Sequence, residues 1–243
     1  MLKNQIPEKM NDPIGRAIVD FFKYGEAQNI IVNTNYTENE TLPPAVFFRR
    51  ENEMSEIEST ALNLCYGKVL DVGAGAGCHS IVLQQKGLDV TALEKSKLAA
   101  GVMEKRGVKK IIHCDIFEFD ETGYDSIILL MNGSGIGGTL HGLKELLLRL
   151  KNQIVPDGQI LMDSADIGYL FEEDDGSVWI DLANDRYFGE MEYRLSYKEE
   201  SAAFNWLFVD FDTLAALAGK IGLKCERIAE SVLYEYLARI TLA

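Results

Sequence analysis

The sequence predicts an α/β protein built on an open, mostly parallel sheet with helices on both faces. Three observations predict it. From Lys68 onward, short apolar runs alternate with segments of helical spacing. Those runs (KVLDV, LDVTAL, KKIIHC, YDSIILL, QILMD) are near-continuous in hydrophobicity, the pattern of strands buried on both sides. The first of them leads into VGAGAGC, where glycines at 73, 75 and 77 would weaken a strand and pack nothing. The chain must turn there, close to something that tolerates no side chains.

The first 66 residues have a different pattern. Asp12 followed by Pro13 reads as an N-cap with proline at the first helical position. Ile14, Ala17, Ile18 and Phe21 then form an apolar stripe that Gly25 ends. IIVN, the polar NTNYTENET and LPPAVFFRR read as extended pieces around a loop. Met54, Ile57, Ala61 and Leu64 mark a second helix. Together these form an N-terminal extension folded onto the main domain.

Beyond Lys68 the helices are expected over 78–86, 96–106 and 140–151, and Pro156-Asp157-Gly158 turns the chain into QILMD. The last third alternates instead. In YFGEMEYRLSY, the residues Tyr187, Gly189, Met191, Tyr193, Leu195 and Tyr197 share one face, as in a half-buried antiparallel strand. A helix carrying Leu214, Leu217 and Ile221 stops at Gly222, and SVLYEYLARITL is a second alternating run. The sheet is therefore expected to finish with an antiparallel pair.

Composition narrows the function. With 243 residues, 47% hydrophobic and 26% charged, the chain can bury one sizeable core. Its formal net charge of −14 opposes binding to a phosphate backbone, and Arg49–Arg50 and Lys109–Lys110 are too small to reverse that. No run is long and apolar enough to span a bilayer, and MLKNQIPEKMNDP lacks the features of a secretion signal. A soluble, cytoplasmic protein with neither nucleic-acid nor membrane partners is the expectation. Cys65, Cys78, Cys114 and Cys225 are scattered, as are His79, His113 and His141, so free thiols and no metal site are expected.

The glycine stretch lies at the carboxyl end of the first parallel strand, where open α/β sheets bind ligands. Three features narrow the ligand. The third glycine of a dinucleotide fingerprint would fall at Cys78, no GK[ST] of a phosphate-gripping loop is present, and Asp71 stands just ahead of Gly73. An acid there suits a positive ammonium better than a pyrophosphate. Glu94 closes the second strand, where a carboxylate can accept from both ribose hydroxyls. Asp115 closes the third, placed for an adenine amino group, with Ile116 against the ring. Ammonium, carboxylate, ribose and adenine without phosphate describe S-adenosyl-L-methionine.

These motifs, with YDSIILLMNGSG and PDGQILMD, resemble the class I S-adenosylmethionine-dependent methyltransferases over roughly positions 66–165. The N-terminal segment with LPPAVFFRR also resembles bacterial methyltransferases of unassigned substrate. The resemblance implies a doubly wound, seven-stranded, Rossmann-like sheet with its last strand antiparallel. The chain is read as one domain, 1–243, with 1–66 as extension or lid and 67–243 as cofactor-binding core. Gly73, Gly75 and Gly77 would line the methionine part, Glu94 the ribose, and Asp115 with Ile116 the adenine; Asp71, Ala74, Lys95 and Met131 complete the cofactor set.

Methyl transfer from a sulfonium is an in-line displacement in which the protein aligns, excludes water and needs a base only for some nucleophiles. Asn132 and His141 are the catalytic candidates. Asn132 is followed by GSG rather than Pro-Pro-aromatic, which does not support nucleobase amino-methylation. The MNGSGIGG glycines suggest instead a bare, adaptable wall beside the methyl group. His79 and Ser80 read as helix-opening residues, His113 as a strand residue, the late tyrosines as core, and FEEDDG as a solvated loop. The extension and residues 167–202 are expected to form the acceptor pocket and its lid. The reading is methyl transfer to a small-molecule acceptor. The alternatives are a nicotinamide-dependent oxidoreductase, which Cys78 and Asp71 disfavour, and a non-catalytic cofactor-binding protein of the same fold.

Overall fold

The computed structural model describes residues 11–171 and 186–243, so FEEDDG past Phe171 lies outside the described residues. In chain order, α1 (Pro13–Tyr24), β1 (Ile30–Asn33), β2 (Glu40–Leu42) and α2 (Glu56–Leu64) precede the first parallel strand. The Asp12 carboxylate accepts from the Gly15 N–H at 2.8 Å, and Gly25 closes α1 in the left-handed conformation. LPPAVFFRR departs from the extended expectation. Pro44 opens a 3-10 turn over Pro44–Phe48, in which the Val46 N–H reaches the Pro43 carbonyl at 3.1 Å.

The alternating units follow: β3 (Lys68–Val72), α3 (Cys78–Gln85), β4 (Asp89–Glu94), α4 (Lys97–Arg106), β5 (Lys110–His113), β6 (Tyr124–Leu129), α5 (Leu140–Gln153) and β7 (Ile154–Ala165). After them come β8 (Glu190–Tyr197), β9 (Glu200–Leu207), α6 (Phe211–Lys220), β10 (Leu223–Glu230) and β11 (Glu235–Leu242). The main sheet has seven strands in the order β10-β11-β7-β6-β3-β4-β5. β5, β4, β3, β6 and β7 are parallel, and β11 runs antiparallel to both β7 and β10. The last strand is thus the antiparallel one, as expected. The strand order reverses between β3 and β6, so a crevice opens at their carboxyl ends.

Alternate strand residues bury against opposite layers. Leu70, Val72, Ile127, Leu129, Ile160 and Met162 pack with Leu143, Leu146, Leu147 and Leu150 of α5 and Leu214 of α6. Val69, Ile128, Leu161 and Leu237 pack on the other face with Ile57, Ala61 and Leu62 of α2 and Val82 and Leu83 of α3. Helix α2 of the N-terminal segment is therefore part of the sheet's cover.

The alternating run at 187–197 does not end the main sheet. It joins a second, four-stranded antiparallel sheet in the order β2-β1-β8-β9. The antiparallel pair that does end the main sheet is β10 with β11. Two partners capture β8: β9 returns after the tight turn at Lys198, and β1 comes from the N-terminal segment. The alternation of β8 itself holds, since Met191, Leu195 and Tyr197 are buried. Ile30, Val32, Leu195 and Tyr197 form the inner face against Ala17 of α1, while Arg194 and Ala203 opposite it on the other face are exposed. Among the described residues no helix is long and apolar enough to cross a membrane.

Candidate active site

The turn after β3 is left-handed at each alternate residue: Gly73, Gly75 and Gly77 have φ of 72°, 56° and 81°. The three glycines answer to different neighbours. A side chain on Gly77 would meet Val108 at 2.8 Å and Met103 at 3.0 Å, so this glycine lets α3 pack closely on α4. At Gly73 the nearest atom is Ile136 Cδ1 at 3.4 Å, and at Gly75 it is Phe47 Cδ1 at 3.4 Å. The turn is held to β4 from beneath, because the Gly73 and Ala74 N–H groups both donate to the Leu93 carbonyl.

Glu94 ends β4 and is 9% exposed. One carboxylate oxygen accepts from the Gly75 N–H at 2.8 Å and the other from the Ser96 N–H at 2.7 Å. Burial pushes its pKa above the ordinary value, against the pull of those two backbone donors. Each oxygen keeps a lone pair for a further donor. Ser96 caps α4 through the Ala99 N–H and donates at 2.5 Å to Asp12, the cap of α1. Glycine turn, β4 end, α4 and α1 are thereby joined in one hydrogen-bonded chain.

The other predicted residues are placed as follows. Asp71 is 2% exposed and accepts from Ser80 Oγ at 2.6 Å, so it ties the first turn of α3 to β3, and burial raises its pKa. Asp115 is half-buried, with one oxygen accepting from the Phe117 N–H at 3.0 Å, and Ile116 beside it is buried. Lys95 is exposed, its carbonyl bonded to the His113 ring at 3.0 Å. Met131 and Asn132 both have positive φ, 67° and 60°. The N–H groups of Asn132 and Gly133 donate to the two oxygens of buried Asp163, at 3.0 and 2.7 Å. The Asn132 amide itself is engaged, donating to the Leu207 carbonyl at 3.2 Å and accepting from Ser164 at 3.2 Å. His141 is 82% exposed on α5 and pairs with Glu145 at 3.3 Å, facing solvent rather than the buried acids.

A family model described as "Tellurite resistance protein TehB" matches residues 45–129. No curated protein matches at a significant level. The chain is similar to the crystal structure of a SAM-dependent methyltransferase from Bacteroides fragilis in complex with S-adenosyl-L-homocysteine. The identity is 41%, over 96% of this chain and 95% of that one, with a TM-score of 0.90. The chain belongs to the class I S-adenosylmethionine-dependent methyltransferases. Two more distant structures share the fold. One is the CcbJ methyltransferase of Streptomyces caelestis (14% identity, 96% and 99% coverage, TM-score 0.63). The other is CalS10, an amino pentose methyltransferase from Micromonospora echinaspora (15%, 85% and 100%, TM-score 0.55).

The site of this methyltransferase-family protein fits the family's cofactor. Gly73 and Gly75 present bare backbone, with apolar Ile136 and Phe47 as the nearest side-chain contacts. Glu94 offers a buried carboxylate with one unused lone pair on each oxygen, the arrangement a vicinal diol requires.

Several residues around the site escaped the sequence reading. Asp163 supports the left-handed turn at Asn132, and burial raises its pKa to about 6 despite the two backbone donors. Behind the glycine turn, Glu58 accepts from His79 at 2.7 Å and from Arg49 at 2.7 and 2.5 Å. The glycine-rich wall is not bare either. A side chain on Gly135 would lie 2.0 Å from Trp206 Cε2, so the indole already covers that glycine. Gly135→Ala is expected to destabilise the fold by about 1–3 kcal/mol through overpacking, read from urea unfolding. A variant as stable as the wild type would mean that the indole moves aside freely.

Proposed function

We propose that the chain transfers a methyl group from S-adenosyl-L-methionine to a small-molecule acceptor bound between the glycine turn and the second sheet. The observation that carries this reading is Glu94, buried beside bare Gly75, with one backbone donor on each oxygen. In this reading Glu94 takes the ribose hydroxyls. Gly73, Ala74 and Gly75 lie along the methionine part, Asp115 and Ile116 along the adenine, and Lys95 and Met131 border the site. Asp71 acts from below by fixing α3 through Ser80.

The bound cofactor supplies an activated methyl group, so the chain's own work is alignment and exclusion of water. The inner face of the second sheet suits that work. Tyr193, Phe204 and Trp206 lie in register on β8 and β9, with ring centroids 5.9–6.2 Å apart. Phe204 remains 36% exposed on that otherwise apolar face. Burial raises the Tyr193 hydroxyl to about 12, so it stays protonated at neutral pH. The N-terminal segment contributes Phe47 over Gly75 and serves as part of the lid. Asn132, whose amide is held by Leu207 and Ser164, acts as a positioning residue for the wall rather than as a base. A net charge of −14 also disfavours a nucleic-acid acceptor.

Calorimetry with S-adenosyl-L-homocysteine is expected to give saturable one-to-one binding. A screen of amines, hydroxyls and carboxylates with methyl-labelled cofactor is expected to transfer label to one chemical class. Tight cofactor binding with no transfer to any class would favour a non-catalytic member of the family, and no binding at all would overturn the reading.

A further inference from the structure

Alongside α3, a cavity of about 830 Å³ opens between that helix, the end of α4 and the turn at 48–52. None of Gly73, Gly75, Glu94 or Asp115 lines it, so it is separate from the site described above. Its apolar wall is Phe48, Ile81 and Val82; its cations are Arg49, Arg50 and Arg106, and Glu51 is its acid.

Two of these charges are already matched. Arg49 is spent on Glu58 in a two-pronged pair, and Glu51 is paired with Lys86 at 2.9 Å. That leaves Arg50 and Arg106, neither of which has a carboxylate partner among the described residues. Arg106 is the more telling, because it is partly buried. Its Nη1 donates to the carbonyls of Ala76 at 2.5 Å and Phe47 at 3.3 Å, and its guanidinium stacks 4.7 Å from the Phe48 ring centroid. Nε and Nη2 have no protein acceptor among the described residues. Burial also lowers its pKa. Cations withdrawn from water are ordinarily paired. A chain with 38 acids against 24 lysines and arginines has carboxylates in surplus, yet among the described residues none sits on either arginine here.

We propose that this cavity is a second binding site, for a small organic dianion. The anionic oxygens meet Arg50 and the free N–H groups of Arg106, and the apolar body lies against Phe48, Ile81 and Val82. Planar guanidinium forks match phosphate and carboxylate geometry, and their charge-assisted bonds are the strong class. The volume exceeds what inorganic phosphate needs, which favours an anion with a carbon skeleton.

The probe is phenyl phosphate, titrated calorimetrically onto the full chain at fixed ionic strength, with saturating S-adenosyl-L-homocysteine present. Saturable one-to-one binding is expected, tighter than that of inorganic phosphate under the same conditions. Arg50→Gln, at an exposed position, is expected to weaken it roughly tenfold, the loss of one charge-assisted bond. Arg106→Lys, which keeps the charge but loses the fork, is expected to weaken it as well. Equal affinity in wild type and Arg50→Gln, or competition between phenyl phosphate and adenosylhomocysteine, would overturn the proposal.

Discussion

Glu94→Ala is expected to abolish measurable binding of S-adenosyl-L-homocysteine while leaving the protein folded. The carboxylate anchors the Gly75 and Ser96 N–H groups at 2.8 and 2.7 Å and, in the proposed function, also accepts from two ribose hydroxyls. Hydrogen bonds to a charged group contribute about 1.5–3 kcal/mol each. Losing two of them reduces affinity by roughly 10²–10⁴-fold. Stability is expected to suffer less, because burial already penalises the ionised form of Glu94, raising its pKa. Removing a carboxylate held at that cost offsets part of what its two backbone bonds provided. Glu94→Gln keeps one acceptor and is expected to fall between wild type and alanine. Calorimetry on the three proteins, with thermal melts to confirm folding, gives the comparison. The raised pKa has a further consequence: binding should weaken on acidification from a pH above the ordinary carboxylate range. An alanine variant that is folded and binds as tightly as the wild type would remove Glu94 from the cofactor site.

What could be read from the sequence was what local pattern dictates. Of the five parallel strands, β3, β4, β6 and β7 announce themselves because they are buried on both faces and so are near-uniformly apolar. Asp12 and Gly25 were legible as cap and stop because capping depends on one side chain and the next turn of backbone. β9 and β10 escaped because Leu207 and Leu223 are the single fully buried residues of their sequences, ESAAFNWL and LKCERIAE. With so few fully buried positions, hydrophobic periodicity has little to report. The second sheet escaped for a different reason. β1 and β8 lie more than 150 positions apart, and no local signal specifies which strand pairs with which.

The site divides in the same way. Gly73, Gly75 and Glu94 were legible because bare backbone and a strand-end acid are local requirements of the turn. Gly77 shares the glycine pattern, yet its missing side chain makes room for Val108 and Met103, a distinction that needs the packing of α4. Asp163 and Trp206 approach the wall after β6 from strands 30 and 70 positions downstream, and nothing around Asn132 names them. His141 stood close in sequence to that wall, but its place on the helix turns it to solvent. Neither Glu58 nor Arg49 carried a signal of its own, since an acid near the start of a helix ordinarily serves as part of a cap. Glu58 does serve that way, accepting from the Ser55 N–H at 2.9 Å, and it then does more.

That second role sets the protein's expected response to pH. Glu58 is 3% exposed and holds two cations, Arg49 and His79, the latter in the first turn of α3 next to the glycine turn. Burial alone would raise its pKa, but the bonds from His79 and the Ser55 backbone and the charges of His79 and Arg49 outweigh it, carrying it from 4.5 to about 2. A depressed carboxyl contributes stability that is present above its unfolded value and is lost as pH falls from about 4.5 towards 2. Such a shift corresponds to about 3 kcal/mol. For His79, burial opposes the charge, while bonds to Cys78 and Glu58 win and raise its pKa well above 6.5. Its contribution is therefore present below 6.5 and fades as pH rises through the folded value. Asp163 works with the opposite sign: raised to about 6, it makes folding less favourable as pH climbs from 3.8 to about 6. Glu58→Gln removes the first contribution directly and also relieves part of what raises the pKa of Asp163 and His79, since the Glu58 carboxylate acts on both. The variant leaves Arg49 and His79 without their counter-charge and is expected to lose about 3–5 kcal/mol at pH 6 in urea unfolding. The gap between the two proteins is expected to narrow steadily below pH 4.5 as the wild-type carboxylate takes up its proton. A gap that stays constant from pH 6 to pH 3 would mean that Glu58 supports the fold through packing and not through charge.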